Sequence, residues 1–419
     1  MNWASPLLRI LWRKDLWDKP LRHILNEELP HLPRALRPPV THHLYGMARH
    51  RRFLEQTLRD LCEHPPRDPR LSQLLLLGLH ALYCSSGTPD HALVDGLVRL
   101  APPPKRGFVN ALFRRAIRER QTRTSPELMA DMPPLIERAI RQAYPDQETI
   151  QAHLVRPPRF HLLPHPRGFA DMDTLLSHME QHGLPHHRVP GMGILVSRLH
   201  PQLRSWLLEG KIYLQNPSST LIATLIAEDK PRRVADLCAA PGGKSLSLLA
   251  SAPDLAVVAM DVHEARCARL TRTLSGLSAT VLCGDARRPP SIDDVDLVLV
   301  DAPCSSLGTL RKNPDLISGI SRERIHDNAA LQAEIMLGVH RSFPRATLFY
   351  TVCTFTPEET TEQSQAFTQQ SGRRPLDLCP RILQHGFSCI QAGTGALLLP
   401  TAGRENDLFF LAAWAPLTV

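Results

Sequence analysis

The residues in this 419-residue chain best suited to chemistry are two thiols and a set of acids, each closing an apolar run. Residues 297–306 read LVLVDAPCSS, in which four apolar residues run into Asp301, then Ala-Pro, then Cys304. An unbroken apolar run of that length suits a strand buried on both faces, as in a parallel sheet. Pro303 ends the ladder, because it lacks an N–H and restricts the residue before it. Asp301 and Cys304 are therefore expected together at the carboxyl end of a central strand, the edge where open α/β sheets bind their ligands. Cys353, in YTVCTFTPEE, follows another apolar run, and adjacent strand ends would bring both thiols into one cleft. Thiols so held could act as nucleophiles. The alternative is that both are small apolar filler. Their places beside Pro303 and beside Thr351 and Thr354 count against that.

A second group of residues suits a nucleoside. Residues 236–244 read DLCAAPGGK between a strand and a helix. Gly242 and Gly243 let the backbone approach a ligand, and the helix that follows offers free N–H groups. The spacing is neither G-x-G-x-x-G nor a P-loop, which disfavours a dinucleotide pyrophosphate. Lys244 falls in the first helical turn, where a cation is mildly unfavourable against the helix dipole. Its presence there calls for an anionic neighbour, from a ligand or from a side chain. Asp261 closes LAVVAMD about twenty residues past the glycines, where an acid commonly accepts from ribose hydroxyls. Asp285, in CGDARRP, ends the next strand and could meet an adenine edge. Each acid alone could be a helix cap or turn residue. Their recurrence at successive strand ends favours a nucleoside. Cys238 precedes the glycine turn and reads as packing.

The elements that must position these residues follow from the pattern after residue 232. RRVADLC, LAVVAMD, ATVLC, VDLVLVD and ATLFYTV read as strands, with helices expected over 243–252, 263–277, 321–343 and 357–371. Such alternation implies βαβ units, hence a mostly parallel sheet with helices on both faces. GALLLPT and DLFFLAAW, near the end, read as a closing hairpin or edge strand. Residues 3–145 have helical apolar spacing, cut by proline-rich breaks at 30–39, 65–69 and 102–104 into about six helices. Within 105–120, Phe108, Leu112 and Ala116 are expected to face a core, leaving Arg114, Arg115 and Arg118 elsewhere on the helix. Residues 152–214 read as a small α+β insert with unassigned strand pairing. The histidines there (His161, His165, His178, His182, His186 and His187) have no cysteine or carboxylate at ligand spacing, and are read as surface groups rather than a metal site. The expected partition is 1–145, 146–214 and 215–419.

Charge divides the chain unevenly. Residues 1–145 carry 23 Lys/Arg against 14 Asp/Glu, a net +9, whereas residues 146–419 have a net −1. A basic front part suggests a polyanion partner, with an arginine-rich solvated surface as the plainer alternative. Nine cysteines without a C-x-x-C pair argue against a disulfide framework or zinc site and suit a cytoplasmic setting. The first residues lack a signal-peptide pattern, and the longest apolar block, residues 74–83, is too short to span a bilayer. No membrane association is expected, and a monomer is.

DLCAAPGGK, DAPCSSLGTLRKNPD and YTVCTFTPEE together resemble the Sun/Fmu family of RNA cytosine-5 methyltransferases, most strongly the bacterial members acting on small-subunit (16S) ribosomal RNA. LYGMARHRRFLEQ and RGFVNALFRRAIRE are similar to the NusB-like RNA-binding domain of those members. The resemblance implies a Rossmann-like methyltransferase domain over 215–419, an all-α NusB-like domain over 1–145 and a small α+β linking subdomain between them. It implies Cys353 as nucleophile, Cys304 as an aid to product release and Asp301 against the cytosine ring. Cys238, Ala239, Ala240, Pro241, Gly242, Gly243, Lys244, Asp261, Asp285 and Asp301 would hold S-adenosylmethionine. The chain departs from the family in Thr-Val-Cys-Thr around Cys353, in Pro344-Arg345-Ala346 in place of glycines, and in Asn216 for an aspartate.

The chemistry agrees with these residue types. Carbon 5 of cytosine is a poor nucleophile until a thiolate adds at carbon 6 and makes it enamine-like. A carboxyl group at ring N3, kept protonated by burial, would stabilise the electron density pushed there. The base must first be unstacked, which suits RNA loops better than regular duplex. Arg311 and Lys312, just beyond the Cys304 turn, read either as substrate-backbone contacts or as plain surface charges. Two rival readings remain: a DNA cytosine-5 methyltransferase, whose nucleophile would be Cys304, and a non-catalytic RNA-binding assembly factor.

Overall fold

The computed structural model describes residues 3–16, 19–85, 87–120, 132–252 and 254–417. Residues 121–131 of the expected all-helical region lie outside that set. The chain divides into two compact units, one of residues 1–137, 151–156 and 310–320, the other of residues 138–150, 157–309 and 321–419. This division differs from the expected breaks at 145 and 214. Residues 157–214 join the larger unit, and the segment after the Cys304 turn joins the smaller one.

In the smaller unit, apolar faces spaced at three and four residues pack into one core running from Ala4 to Ala116. Eight α-helices are described in residues 3–145, two more than the proline breaks suggest. One extra break falls at His50, which leaves helical geometry between Arg37–Arg49 and Arg51–Leu61 and lets both pieces turn toward the core. In Arg106–Glu119 the core face is Val109, Leu112, Phe113 and Ala116, while Phe108 is exposed. The true stripe combines steps of three and four, so the expectation for Phe108 fails by one residue. Arg311 is neither a surface charge nor a ready phosphate contact, because it is buried in this unit with Nε donating to the Arg156 carbonyl at 3.0 Å.

The larger unit contains two sheets. Residues 157–214 form a four-stranded antiparallel sheet ordered His187–Val189, Gly193–Val196, Phe160–Pro164 and Ile212–Leu214. Its core includes Leu162, Leu175, Met179, Ile194 and Trp206. His161 and His165 are buried rather than on the surface. His161 Nδ1 lies 2.7 Å from the Gln215 carbonyl, and His165 accepts from the Arg167 N–H at 3.1 Å.

The nine-stranded sheet begins with β1 (Arg233–Asp236), β2 (Ala256–Asp261), β3 (Ala279–Cys283), β4 (Leu297–Asp301) and β5 (Thr347–Val352). It ends with β6 (Pro375–Leu376), β7 (Cys389–Ala392), β8 (Gly395–Leu398) and β9 (Phe410–Trp414). The order is β7-β8-β9-β5-β4-β1-β2-β3, with β6 paired to β9. Strands β1 to β5 are mutually parallel, and the remainder are antiparallel. The connections reverse between β1 and β4, which opens a crevice at their carboxyl ends. β8 and β9 pair antiparallel, as expected of a closing hairpin, but β9 is not an edge strand. It lies between β5 and β8, buried throughout, so the edge falls to β7. Buried Arg373 supports β5 from behind by donating to the carbonyls of Phe343, Pro344 and Ala346 at 2.7–3.0 Å, in the segment where Pro-Arg-Ala stands. Among the described residues no helix is long and apolar enough to cross a membrane.

The smaller unit also encloses a cluster of histidines. His43 and His80 face one another through Nδ1 atoms 3.0 Å apart, the His43 ring stacks on Trp3, and His42 and His50 lie against His80. Burial pulls His43 and His50 down to about 4 and His80 well below its usual range, with neighbouring histidines and Arg49 acting in the same direction. Unfolded histidines titrate near 6.5, so the unfolded chain takes up protons as pH falls from about 6.5 to 4 while the folded chain resists them. Stability of this unit is therefore full above pH 6.5 and is lost as pH falls through that window. Hydrogen exchange of the Pro69–Tyr83 helix, corrected for intrinsic rate, should lose protection between pH 7 and 4.5. Unchanged protection would contradict the account.

Candidate active site

The carboxyl edge of β1, β2 and β4 frames a cavity of about 390 Å³. Cys238 and Ala240 line it from the turn after β1, Asp261 from β2, Asp285 from the loop after β3, and Asp301 and Pro303 from β4. Its other walls include Val262, Leu331 and Ile335. Three carboxylates beside an apolar slot fit a cationic nucleoside such as S-adenosylmethionine: acids for hydroxyl, amine and sulfonium, and a slot for a base. Asp261 is steadied by the His263 N–H at 3.0 Å. Asp285 receives Arg287 through backbone and side chain, and that guanidinium holds its carboxyl below the usual range.

The glycine turn is built for close approach. Gly242 has φ of +103°, and a Cβ there would meet Leu270 at 2.9 Å, so a side chain is excluded twice over. Gly243 opens the Gly243–Ser251 helix, Ala239 donates its N–H to the Met260 carbonyl, and Pro241 is exposed on the outside of the turn. Asp236, fully buried, accepts from Ser245 Oγ at 2.7 Å, and burial raises its carboxyl to about 7. Burial likewise pushes the Cys238 thiol up. Asn216 caps the Pro217–Glu228 helix, its Oδ1 accepting from the N–H groups of Ser218 and Asp407 at 2.9 and 3.0 Å. An amide oxygen thus fills the acceptor role of the aspartate expected there.

Lys244 meets the anion its position calls for. Nζ lies 2.5 Å from Asp301 Oδ2, with the two side chains 10% and 29% exposed. Burial pulls the ammonium down, yet Asp301, Cys353 and Asp236 outweigh it and its pKa is raised. Asp301 therefore stands against a cation rather than isolated in an apolar pocket.

Register brings the thiols together. Asp301 pairs with Thr351, so Cys304 and Cys353 leave adjacent parallel strands within three residues of matched positions. Their sulfurs are 3.4 Å apart, a non-bonded contact well beyond a disulfide length. The two sulfurs are within hydrogen-bond reach, and either thiol can donate. That bond depresses Cys353, burial and the neighbouring Asp301 oppose it, and Ser306 and Lys244 depress it further. The same bond, burial and nearby Glu359 raise Cys304. Of the two, Cys353 is the sulfur biased toward thiolate.

Two participants escape a reading of the sequence. Glu359 is fully buried where TPEE reads only as the start of a helix. It accepts from Ser305 N–H (2.8 Å), Ser305 Oγ (2.5 Å), Thr356 Oγ1 (2.8 Å) and Gln332 Nε2 (3.1 Å). Gln332 also donates to the Pro303 carbonyl at 2.8 Å. The other is Ser306, whose hydroxyl reaches Cys353. An acid among small polar residues six places after a thiol, and a hydroxyl two places after the other, were the available signals. Gly308 completes the turn: its N–H donates to the Cys353 carbonyl, and an added Cβ would lie 1.8 Å from the Leu408 carbonyl. Among the described residues no cluster of three or more His, Cys, Asp or Glu could hold a metal ion.

Comparison with known proteins bears on this arrangement. Residues 223–415 match the family model described as 16S rRNA methyltransferase RsmB/F. Ribosomal RNA small subunit methyltransferase B of Salmonella newport (strain SL254) is 32% identical over 393 residues, covering 88% of each chain. The protein of that name from Salmonella arizonae is 32% identical over 348 residues, covering 78% of this chain and 80% of its own. Among solved structures, PH0851 superposes with a TM-score of 0.68 at 20% identity, covering 99% of this chain and 97% of its own. NSun6 from Pyrococcus horikoshii, solved with SFG, gives 0.51 at 14% identity, covering 68% and 99%. Both of these structures share the fold.

Glu359→Ala would strand four buried donors, so it should cost about 3–5 kcal/mol in urea unfolding of the larger unit. Glu359→Gln, which keeps one acceptor, should cost less. A loss under about 1 kcal/mol for the alanine variant would show that the clamp is energetically idle.

Proposed function

The chain belongs to the RsmB/F family of S-adenosylmethionine-dependent 16S rRNA methyltransferases, and from that premise we propose that it methylates carbon 5 of a cytosine through a covalent bond from Cys353 to carbon 6. The observation that carries the reading is the Cys304–Cys353 sulfur pair at 3.4 Å, with Asp301 on the wall of the nucleoside cavity and paired to Lys244 at 2.5 Å. Cys353 adds as thiolate: its electron pair forms the S–C6 bond, the C5=C6 pair moves to C4–C5, and the C4=N3 pair takes a proton at N3. Lys244 and Asp301 supply that proton and hold N3. When bound, the cofactor supplies an electrophilic methyl group. The C4–C5 pair takes the methyl, the S–CH3 pair stays on the cofactor sulfur, and N3 returns its proton. Loss of the proton on C5 then restores C5=C6 and expels Cys353 as thiolate. Cys304 lies near enough to Cys353 to assist that elimination, directly or through water.

Asp261 and Asp285 hold the cofactor's ribose and base in this reading, and the Cys238–Lys244 turn holds its methionine end. Residues 1–145, with their net +9, act as the RNA-binding domain, 146–214 as a linking subdomain and 215–419 as the methyltransferase domain. Phosphate contacts from the basic part would make affinity fall with salt. Nine thiols without disulfide spacing support a cytoplasmic setting.

The test is a denaturing gel of enzyme with S-adenosylmethionine and labelled 16S rRNA. Cys304→Ala should leave a stable protein–RNA adduct, because release fails, and Cys353→Ala should give none. The reverse pattern would transfer the nucleophile to Cys304. No adduct in any lane, together with no methyl transfer by the wild type, would favour a binding factor.

A further inference from the structure

Ser306 sits at the meeting point of both thiols. Its Oγ is 3.4 Å from Cys353 Sγ and 3.8 Å from Cys304 Sγ, and 3.3 Å from the Cys304 carbonyl oxygen. It is also one of four non-glycine residues among those described with positive φ, at +61°. An L-residue is uncommon there, and holding it costs on the order of 1 kcal/mol or more. Glycine would remove that cost, so a retained side chain at this point has something to contribute.

We propose that Ser306 is the hydroxyl donor that activates Cys353, swinging its proton between the Cys304 carbonyl and the Cys353 sulfur as the sulfur loses and regains negative charge. The inference rests on Cys353 being the nucleophile. With Cys353 as thiol, its S–H donates to Ser306 Oγ and the hydroxyl donates to the Cys304 carbonyl. With Cys353 as thiolate, the hydroxyl has a charged acceptor at nearly the same distance and turns to it, since bonds to charged groups are the stronger. The thioether formed at carbon 6 is a weak acceptor, so the hydroxyl returns to the carbonyl. When the thioether breaks, the departing sulfur regains charge and the hydroxyl turns back. One donor thus serves both the attack and the release, and no proton is gained or lost by Ser306 in either. The depressed Cys353 thiol, to which Ser306 contributes, agrees with this.

The test is the pH dependence of iodoacetamide alkylation of the full-length enzyme without RNA, with mass spectrometry locating the label, on wild type, Ser306→Ala and Ser306→Gly. Wild type should alkylate first at Cys353. Both variants should raise the apparent pKa of that thiol by about one unit, which is about tenfold slower labelling near neutral pH. Alanine keeps the backbone strain and glycine relieves it, so equal shifts identify the hydroxyl. No shift in either variant, or a shift in only one, overturns the proposal. Faster labelling at Cys304 in the wild type would instead overturn the assignment of Cys353 as nucleophile.

Discussion

The buried carboxyl group of Glu359 ties two turns that leave different strands. Ser305, beside Cys304, and Thr356, three places beyond Cys353, both donate to it, and Gln332 reaches it from the Arg322–Ser342 helix while also holding the Pro303 carbonyl. Tyr350 extends the network inward, its hydroxyl 2.9 Å from Gln332 Oε1 and 2.8 Å from the Glu359 carbonyl. A carboxyl group removed from water is expensive unless its lone pairs are filled. Here four donors fill them, so the group cannot shift without stranding its partners. Strand register alone would set two thiol-bearing loops near one another. A fixed sulfur–sulfur contact needs this cross-link between the loops.

On the other side of the thiols a different charge pair does the complementary work. Lys244 begins a helix, where the dipole is unfavourable to it, and is nine-tenths buried, where desolvation is unfavourable too. Asp301, with Cys353 and Asp236 beside it, outweighs the desolvation. The Gly242 turn is what brings this lysine from the end of β1 to the end of β4, because only a residue without Cβ fits the +103° backbone against Leu270. The reversal of strand order between β1 and β4 therefore positions the ion pair as well as the cavity.

Five parallel strands and the helices between them could be read in the sequence because strands buried on both faces are apolar without interruption. The acids at their ends could be read for the same reason: a polar residue after such a run marks the edge of the sheet. What could not be read depends on distant partners. β9 looks like any closing strand, and its insertion between β5 and β8 is set by pairing across some sixty residues. Arg311 is polar and follows an active-site turn, yet the carbonyl of Arg156 and burial in another unit decide its environment. Phe108 fails because steps of four alone drift around a helix of 3.6 residues per turn. Glu359 and Ser306 are of ordinary type at ordinary spacing, and only the approach of two loops gives them partners.

The two thiols differ because their surroundings differ. Cys304 looks toward Glu359, a group whose negative charge resists a second one, whereas Cys353 faces both Asp301, which opposes its ionisation, and the Lys244 ammonium, which favours it. Two sulfurs in contact cannot both ionise cheaply, so one proton serves as the bridge and the fields on either side decide which sulfur keeps it. The Glu359 field and the hydrogen bond between the sulfurs assign the proton to Cys304, against the opposing pull of Asp301 on Cys353. A nucleophile on the turn after β4 would have to work against that arrangement, losing its proton beside the Glu359 carboxyl group while its neighbour kept the proton the two sulfurs share. The same asymmetry suits the return step, because Cys353, the sulfur that better carries negative charge, is the better leaving group of the two. Charge placement, more than the identity of either cysteine, separates attack from release.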